Sequence, residues 1–186
     1  MRFFNKYFHD HNKRRLIIGI NPGRFGAGVT GITFTDPIRL EKECGIQNDF
    51  KKRQEISSVF IYDMIRSYGG PSKFYSRFIL SAVSPLGFLK HGKNINYYDN
   101  RKLAFALHDF ITGNLKQQAS IAGLSDKVIC LGEGRNYWYL EKLNRELGLF
   151  DKIISLPHPR WIMQYRFRDK LNYIKDYKNI LSHLEP

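Results

Sequence analysis

Residues 19–37 read Gly-Ile-Asn-Pro-Gly-Arg-Phe-Gly-Ala-Gly-Val-Thr-Gly-Ile-Thr-Phe-Thr-Asp-Pro, and a short apolar run at residues 16–18 leads directly into them. An apolar run that ends in Gly, Asn and Pro predicts a strand that opens into a loop at its carboxyl end. Ligands bind at that end of the strands in open α/β sheets. Asn21 and Phe34 lie at the two ends of this loop, and together they offer a polar group and an aromatic face to a flat polar ring.

The rest of the chain repeats this pattern of a short apolar strand followed by a helix. The first strand is predicted at residues 14–20, and the others at 78–83, 127–131 and 152–156. Helical spacing or capping signals mark residues 36–44, 56–68, 71–77, 99–118, 135–147 and 167–184. Strands that alternate with helices predict a mostly parallel sheet covered on both faces. We therefore predict a single α/β domain over residues 1–186, built on a central four-stranded sheet.

The carboxyl ends of the predicted strands carry the candidate functional residues. Asn21 follows the first strand, Ser84 the second, Gly132 the third and His158 the fourth. Parallel strands place these ends at one edge of the sheet. We therefore expect Asn21 and His158 to converge, although they are far apart in the sequence.

The charge of the chain indicates its partner. Lys and Arg number 30 against 17 Asp and Glu, which gives a formal net charge of +13. A surplus of this size is typical of proteins that bind nucleic acid, and the alternative is a basic surface without a partner. Aromatic and basic side chains interleave at residues 73–77 and 165–168, a mixture that suits base stacking combined with phosphate pairing.

Composition also excludes several classes of protein. No apolar run approaches the length that spans a bilayer, so we expect no membrane association. Two cysteines are too few for a disulfide framework, which favours a cytoplasmic protein. The pair His9 and His11 supplies only two ligands from a chain terminus, so we expect no metal, and no motif predicts a cofactor. We expect a monomer.

Two motifs together resemble a known family. Gly19-Ile20-Asn21-Pro22-Gly23, followed by Thr30-Gly31-Ile32-Thr33-Phe34, resembles the first motif of the uracil-DNA glycosylase superfamily. Leu156-Pro157-His158-Pro159-Arg160 resembles the second motif of its single-strand-selective monofunctional (SMUG-like) branch. The chain also resembles a second SMUG-like subfamily within that branch. The mismatch-specific thymine/uracil branch shares the first motif, but usually has Asn where this chain has His158.

The resemblance implies a monofunctional DNA glycosylase that flips a damaged base out of DNA and hydrolyses its glycosidic bond. When the roles of the family's motif residues are transferred to the matching positions, Asn21 positions the attacking water. His158 then binds the pyrimidine O2 as negative charge develops there. Phe34 stacks on the flipped ring, and Gly23 leaves room for a substituent at C5. The full set of expected base-binding residues is Ile20, Gly23, Phe25, Phe34, Ser81 and Ser84.

The segment after His158 is expected to enter the DNA. It offers cations and large apolar side chains, and apolar wedges between base steps hold a kinked duplex open. The expected DNA-binding residues are Arg24, Arg160, Trp161, Ile162, Met163 and Arg166.

The chain departs from the family pattern at Ala82, where the family usually has an Asn that reads the pyrimidine edge. Ser81, Ser84 or the main chain are the candidate replacements. The preferred base therefore stays open among uracil, xanthine, hypoxanthine and hydroxymethyluracil. The family also has more residues before the first motif, so we expect this chain to lack an N-terminal portion.

Two other functions remain open. Ala82 fits a DNA-binding module of the same fold with weak or no catalytic activity. A hydrolase of free nucleosides would share the pocket, but a small substrate does not require a net charge of +13.

Overall fold

The computed structural model describes residues 2–185 and is centred on a four-stranded parallel sheet. The strands are β1 (Arg15–Gly19), β2 (Phe78–Ala82), β3 (Phe88–Lys90), β4 (Lys93–Ile95), β5 (Lys127–Leu131) and β6 (Lys152–Leu156). The order across the central sheet is β2-β1-β5-β6, and every neighbouring pair is parallel. Strands β3 and β4 form a separate antiparallel hairpin.

Helices cover both faces of this sheet. They are α1 (Arg2–Tyr7), α2 (Ala27–Thr30), α3 (Pro37–Lys42), α4 (Ile56–Tyr68), α5 (Pro71–Tyr75), α6 (Arg101–Ala106), α7 (His108–Ala122), α8 (Arg135–Leu147), α9 (Pro159–Tyr165) and α10 (Lys170–His183). A single 3₁₀ turn, Phe167–Asp169, leads into α10. Among residues 2–185, no helix has both the length and the apolar character that crossing a membrane requires.

Strand β1 is buried along its whole length because helices pack on both of its faces. Ile17 joins a core cluster with side chains of α4 and α10. Leu16 and Ile18 join the opposite cluster, which contains Ile111 and Leu115 of α7. This double burial explains why β1 reads as a continuous apolar run.

Two buried arginines anchor the start of β1. The Arg15 guanidinium donates to the carbonyl of Leu184 at 2.7 Å and pairs with Asp126 at 2.8 Å. The Arg14 guanidinium donates to the carbonyl of Tyr75 at 2.6 Å. These bonds satisfy charges that would otherwise be costly to bury, and they tie β1 to the C-terminal segment and to α5.

Most of the predicted elements are confirmed. The four strands, the parallel sheet, and the helices at residues 56–68 and 135–147 are present. Asp36 caps α3 as expected, because its carboxylate accepts from the Arg39 N–H at 2.8 Å. The helix predicted at residues 99–118 is instead two helices, α6 and α7, that meet at Leu107.

The sequence analysis missed the β3–β4 hairpin and the helices α2 and α9. Strands of three residues and a helix of four residues are too short to carry a periodic apolar pattern. Prolines flank His158, and a residue before a proline favours an extended backbone, so no helix was predicted there. Pro159 instead occupies the first turn of the helix, where its missing N–H costs nothing.

One close contact at the end of β1 positions the loop that follows. A Cβ atom on Gly19 would lie 2.7 Å from Cζ of Phe34, so only glycine allows the aromatic ring to rest on the strand. Phe34 itself has a φ of 55°, a left-handed conformation that is rare for an aromatic residue. The loop is therefore held in a conformation that its own sequence disfavours.

We predict that Gly19→Ala lowers the free energy of unfolding by about 1–3 kcal/mol, because the new methyl group displaces the Phe34 ring. The matched control is Gly113→Ala, since no atom lies within 4 Å of a Cβ at this helical position. That control should raise stability by about 0.5–1 kcal/mol. Urea denaturation measures both values, and equal stability of the two variants would contradict the contact.

Candidate active site

The candidate site lies at the edge where the carboxyl ends of the four parallel strands meet. The structure brings the Phe34 loop, which follows β1, against His158, which follows β6, with ring centroids 5.9 Å apart. Gly132, at the end of β5, lies below them: a Cβ atom there would be 3.8 Å from Cβ of His158. The strand ends therefore bring Phe34 and Gly132 to His158 as expected, whereas the approach of Asn21 to His158 stays a prediction.

Hydrogen bonds from α4 hold Phe34 in place. The Ser58 hydroxyl donates to the Phe34 carbonyl and accepts from the Asp36 N–H at 2.8 Å. Next to it, the hydroxyls of Thr35 and Tyr62 are hydrogen-bonded at 2.9 Å. These bonds compensate for the left-handed backbone at Phe34, so the aromatic platform is preformed.

The Asn21 amide is fixed by the last residue of β4 and by the chain that follows it. Its Oδ1 accepts from the Tyr97 N–H at 3.2 Å, and its Nδ2 donates to the Ile95 carbonyl at 3.3 Å. Because one partner is a donor and the other an acceptor, the orientation of the amide is unambiguous. A carbonyl oxygen has two lone pairs, so Oδ1 keeps one for a further donor. No sequence pattern links Asn21 to Ile95 and Tyr97, because they lie more than 70 residues away.

His158 is a neutral hydrogen-bond donor in this site. Its Nδ1 accepts from the Arg160 N–H at 3.0 Å, at the start of α9. A nitrogen that accepts carries no proton, so the proton of the neutral ring lies on Nε2. Burial, together with the nearby Arg160 guanidinium, lowers the pKa of His158 to about 4.

The hydroxyls of the two serines proposed as base readers form hydrogen bonds with other parts of the chain. Ser81 pairs in register with Ile18, whose side chain lies on the α7 face of the sheet, and its hydroxyl bonds to Gln118 of α7 at 2.7 Å. Ser84 is fully buried, and its hydroxyl makes a turn with the backbone of Leu86. Ser84 is therefore closed off from a base, whereas Ser81 lines a cavity with Ala82, Gly31 and Thr33, so its role as a base reader stays a prediction.

Ala82 lies on the same side of the sheet as the Phe34 platform, because it pairs with Gly19. Its side chain is almost completely buried and offers no hydrogen-bonding group. Its carbonyl accepts from the Gln118 amide at 3.1 Å. Ile20, at the start of the loop, accepts from the Ser84 N–H at 3.1 Å through its own carbonyl, which ties the two strand ends together.

The glycine loop carries a cationic rim. The Phe25 ring is covered by the guanidinium groups of Arg24 and Arg53, at 4.4 Å and 4.8 Å from its centroid. Phe25, Arg24 and Arg160 line a cavity of about 360 Å³, together with Glu55. Phe25 thus carries a cation on its ring from each of two arginines, and its contact with the base stays a prediction.

The segment after His158 is helix α9, and its faces differ. Trp161 is exposed, and the Arg166 guanidinium lies 5.7 Å from its ring centroid. Ile162 is completely buried, and Met163 packs partly against the core. The prediction that Ile162 contacts DNA is therefore wrong, because the helix turns this side chain inward.

The sequence analysis did not identify Glu55 as a site residue. It is the residue before α4, and its carboxylate lies against the glycine loop: a Cβ on Gly23 would be 2.5 Å from Oε1. Burial, chiefly, and the nearby Asp36 carboxylate raise the pKa of Glu55 to about 6. The only signal in the sequence was an acidic residue directly before a helix, which also describes many ordinary surface residues.

Comparisons with known proteins agree with this geometry. The family model for the uracil DNA glycosylase superfamily matches residues 6–182. Among solved structures, the chain is similar to the wild-type SMUG2 of Pedobacter heparinus, with 44% identity and a TM-score of 0.94, over 98% of this chain and 80% of that one. A search of curated proteins finds no match.

The matched region contains both strand-end motifs and all four strands of the central sheet. It therefore includes the Phe34 platform and the His158 donor. The chain belongs to the uracil DNA glycosylase superfamily.

Proposed function

We propose that this protein is a monofunctional glycosylase that removes uracil or a related deaminated or modified base from DNA. Membership of the superfamily makes it a DNA glycosylase, a hydrolase of base excision repair. The proposal adds the residues and their roles. The observation that carries it is the pairing of a preformed aromatic platform, Phe34, with a neutral donor, His158, at the strand edge.

Phe34 and His158 bind the flipped base in different ways. The ring of the base stacks on Phe34, whose conformation is fixed before substrate arrives. The Nε2–H of His158 then points at the pyrimidine O2, where negative charge collects as the bond to C1′ breaks. A preorganised donor of this kind is worth about 10²–10³-fold in rate.

A neutral imidazole suits this task better than a charged one would. A pKa of about 4 means that His158 donates a hydrogen bond without a net charge that must be desolvated. The base leaves as an anion stabilised by that hydrogen bond, and the electron pair of the glycosidic bond goes with it. The sugar is left electron-poor at C1′.

Asn21 is proposed to position the water that attacks C1′. The remaining lone pair of its Oδ1 can accept a hydrogen bond from that water, while Tyr97 holds the other lone pair. An amide cannot act as a strong base, so the glycosidic bond must break largely before the water attacks. This makes stabilisation of the leaving base the main source of catalysis.

The product is proposed to be an intact abasic site. Neither strand-end motif contains a lysine that could form a Schiff base with the sugar. DNA is proposed to lie across Arg24, Arg160, Trp161 and Arg166, with Met163 at its margin. The net charge of +13 supports this surface, since phosphate contacts supply most of the affinity for DNA.

The decisive assay measures base release from single-stranded oligonucleotides that contain uracil, xanthine, hypoxanthine or hydroxymethyluracil. We expect release of uracil, and strand scission only after alkali.

Asn21→Ala should lower the release rate by at least about 100-fold while DNA affinity stays within about twofold. Asn179→Ala, an exposed change on α10, is the control and should match the wild type.

Ala82 favours one alternative, a DNA-binding module without catalysis, because Ala82 cannot read a base. Salt-sensitive DNA binding without release of any base would support that alternative and contradict the glycosylase proposal. Release from free nucleosides without salt-sensitive DNA binding would instead indicate a nucleoside hydrolase.

The pH profile tests the protonation state of His158. Below its pKa of about 4 the ring gains a proton on Nδ1 and loses the hydrogen bond from Arg160. We therefore expect single-turnover rates to show no inflection from His158 between about pH 5 and about pH 8. A fall in rate with a midpoint near the ordinary value of 6.5, absent in His158→Gln, would contradict a neutral donor.

Trp161 is proposed to insert into or stack on DNA next to the flipped base. Trp161→Ala should slow release from duplex substrates about tenfold more than release from single strands, because only a duplex needs a wedge. Trp138 is more exposed, at 64% against 40%, and lies on α8, so Trp138→Ala is the matched control. Equal losses on both substrates in Trp161→Ala would argue against a wedge.

A further inference from the structure

Glu55 is a half-buried acid whose Oε2 is buried beside several cationic side chains. It shares a cavity of about 360 Å³ with Arg24, Lys93 and Arg160. Its carboxylate nevertheless makes no ion pair within residues 2–185, and its buried Oε2 has no hydrogen-bond partner there. An unsatisfied buried carboxylate oxygen is costly, so its presence calls for a physical explanation.

Folding alone does not explain this carboxylate. The neighbouring Asp36 already makes the structural bonds at this junction: it caps α3 and accepts from the Glu55 N–H at 2.9 Å. The Glu55 backbone is thus anchored without any contribution from its side chain. An apolar side chain of similar size would fill the same space without leaving an oxygen unpaired.

The position of the carboxylate relates it to the base pocket. It occupies the space into which a side chain at Gly23 would project, and that of Gly26 as well, where a Cβ would be 2.0 Å from Oε2. The loop that carries these glycines begins at Asn21 and ends at Phe34. Glu55, directly before α4, therefore occupies the space that side chains at Gly23 and Gly26 would otherwise fill, and its carboxylate forms the wall of the pocket there.

The proposed binding mode determines which part of the base meets this wall. In a pyrimidine ring, C2 and C5 lie opposite each other. With O2 bound to His158, C5 points away from that residue and, in the proposed binding mode, would face the glycine loop. The oxygen without a partner would then meet the substituent on C5.

We propose that Glu55 is a specificity-determining residue that accepts a hydrogen bond from a donor group on the C5 substituent of the flipped pyrimidine. This inference rests on the proposed function. It selects a C5-hydroxymethyl group, whose hydroxyl satisfies the carboxylate, over a C5-methyl group, which would bury the carboxylate against an apolar surface. A site built to bond a hydroxyl rejects the analogue that lacks it.

The raised pKa of Glu55 is consistent with this role. Burial, chiefly, and the Asp36 carboxylate destabilise the charged form and raise the pKa, whereas Arg160 and the backbone N–H of Gly26 oppose them. A hydroxyl donor would stabilise that charged form when substrate binds. Hydrogen bonds to charged groups are stronger than those between neutral groups, so the selectivity should be large enough to measure.

The test compares single-turnover rates on single-stranded oligonucleotides that carry 5-hydroxymethyluracil, uracil or thymine. In Glu55→Gln, which keeps the shape and loses the charge, the ratio of hydroxymethyluracil to uracil rates should fall about tenfold. In Glu55→Ala, which opens the wall, the ratio of thymine to uracil rates should rise. The control is Glu41→Gln, whose carboxylate pairs with Lys52 on the surface, and it should keep both ratios.

An unchanged hydroxymethyluracil-to-uracil ratio in Glu55→Gln would overturn the role of Glu55 and leave the proposed function intact. Absence of any base release by the wild type would instead overturn the proposed function. In that case, the affinities of wild type and Glu55→Gln for the same oligonucleotides still decide the inference. A wild type that binds the hydroxymethyluracil and uracil strands equally well would overturn it.

Discussion

The contact between the Phe34 ring and the backbone of Gly19 is the constraint on which the rest of the site depends. It requires a strand residue without a side chain and a left-handed backbone at Phe34. Ser58 stabilises that backbone from α4, and α4 also places Glu55 against the glycine loop. One helix thus fixes both the platform for the base and the wall beside it, so the pocket is formed before DNA arrives.

Charge contributes differently to DNA binding by the surface and to base recognition in the site. A surplus of cations over the molecule favours binding to a polyanion without regard to sequence. The donor at the platform itself is uncharged, because burial keeps His158 neutral. Hydrogen-bond direction, set by the Arg160 backbone for His158 and by Tyr97 for Asn21, is therefore the means of recognition at these two residues.

Sequence analysis predicted the parts of this structure that follow from local patterns. The strands, the main helices and the convergence of the strand ends came from apolar runs and turn residues. The anchoring of Asn21 by Tyr97 and the turn of Ile162 into the core could not be predicted, because both depend on contacts between distant segments. Glu55 was missed for the same reason, since its environment comes from glycines about 30 residues earlier.

In the proposed complex, one base lies between the glycine loop and Phe34 with its O2 bound to His158. The most direct test is a crystal structure with a single-stranded oligonucleotide that carries an uncleavable 2′-fluoroarabino analogue of deoxyuridine. We expect a flipped uracil stacked on Phe34, with His158 Nε2 about 2.7–3.1 Å from O2. A base bound elsewhere, or one whose O2 lies beyond hydrogen-bond reach of His158, would contradict it.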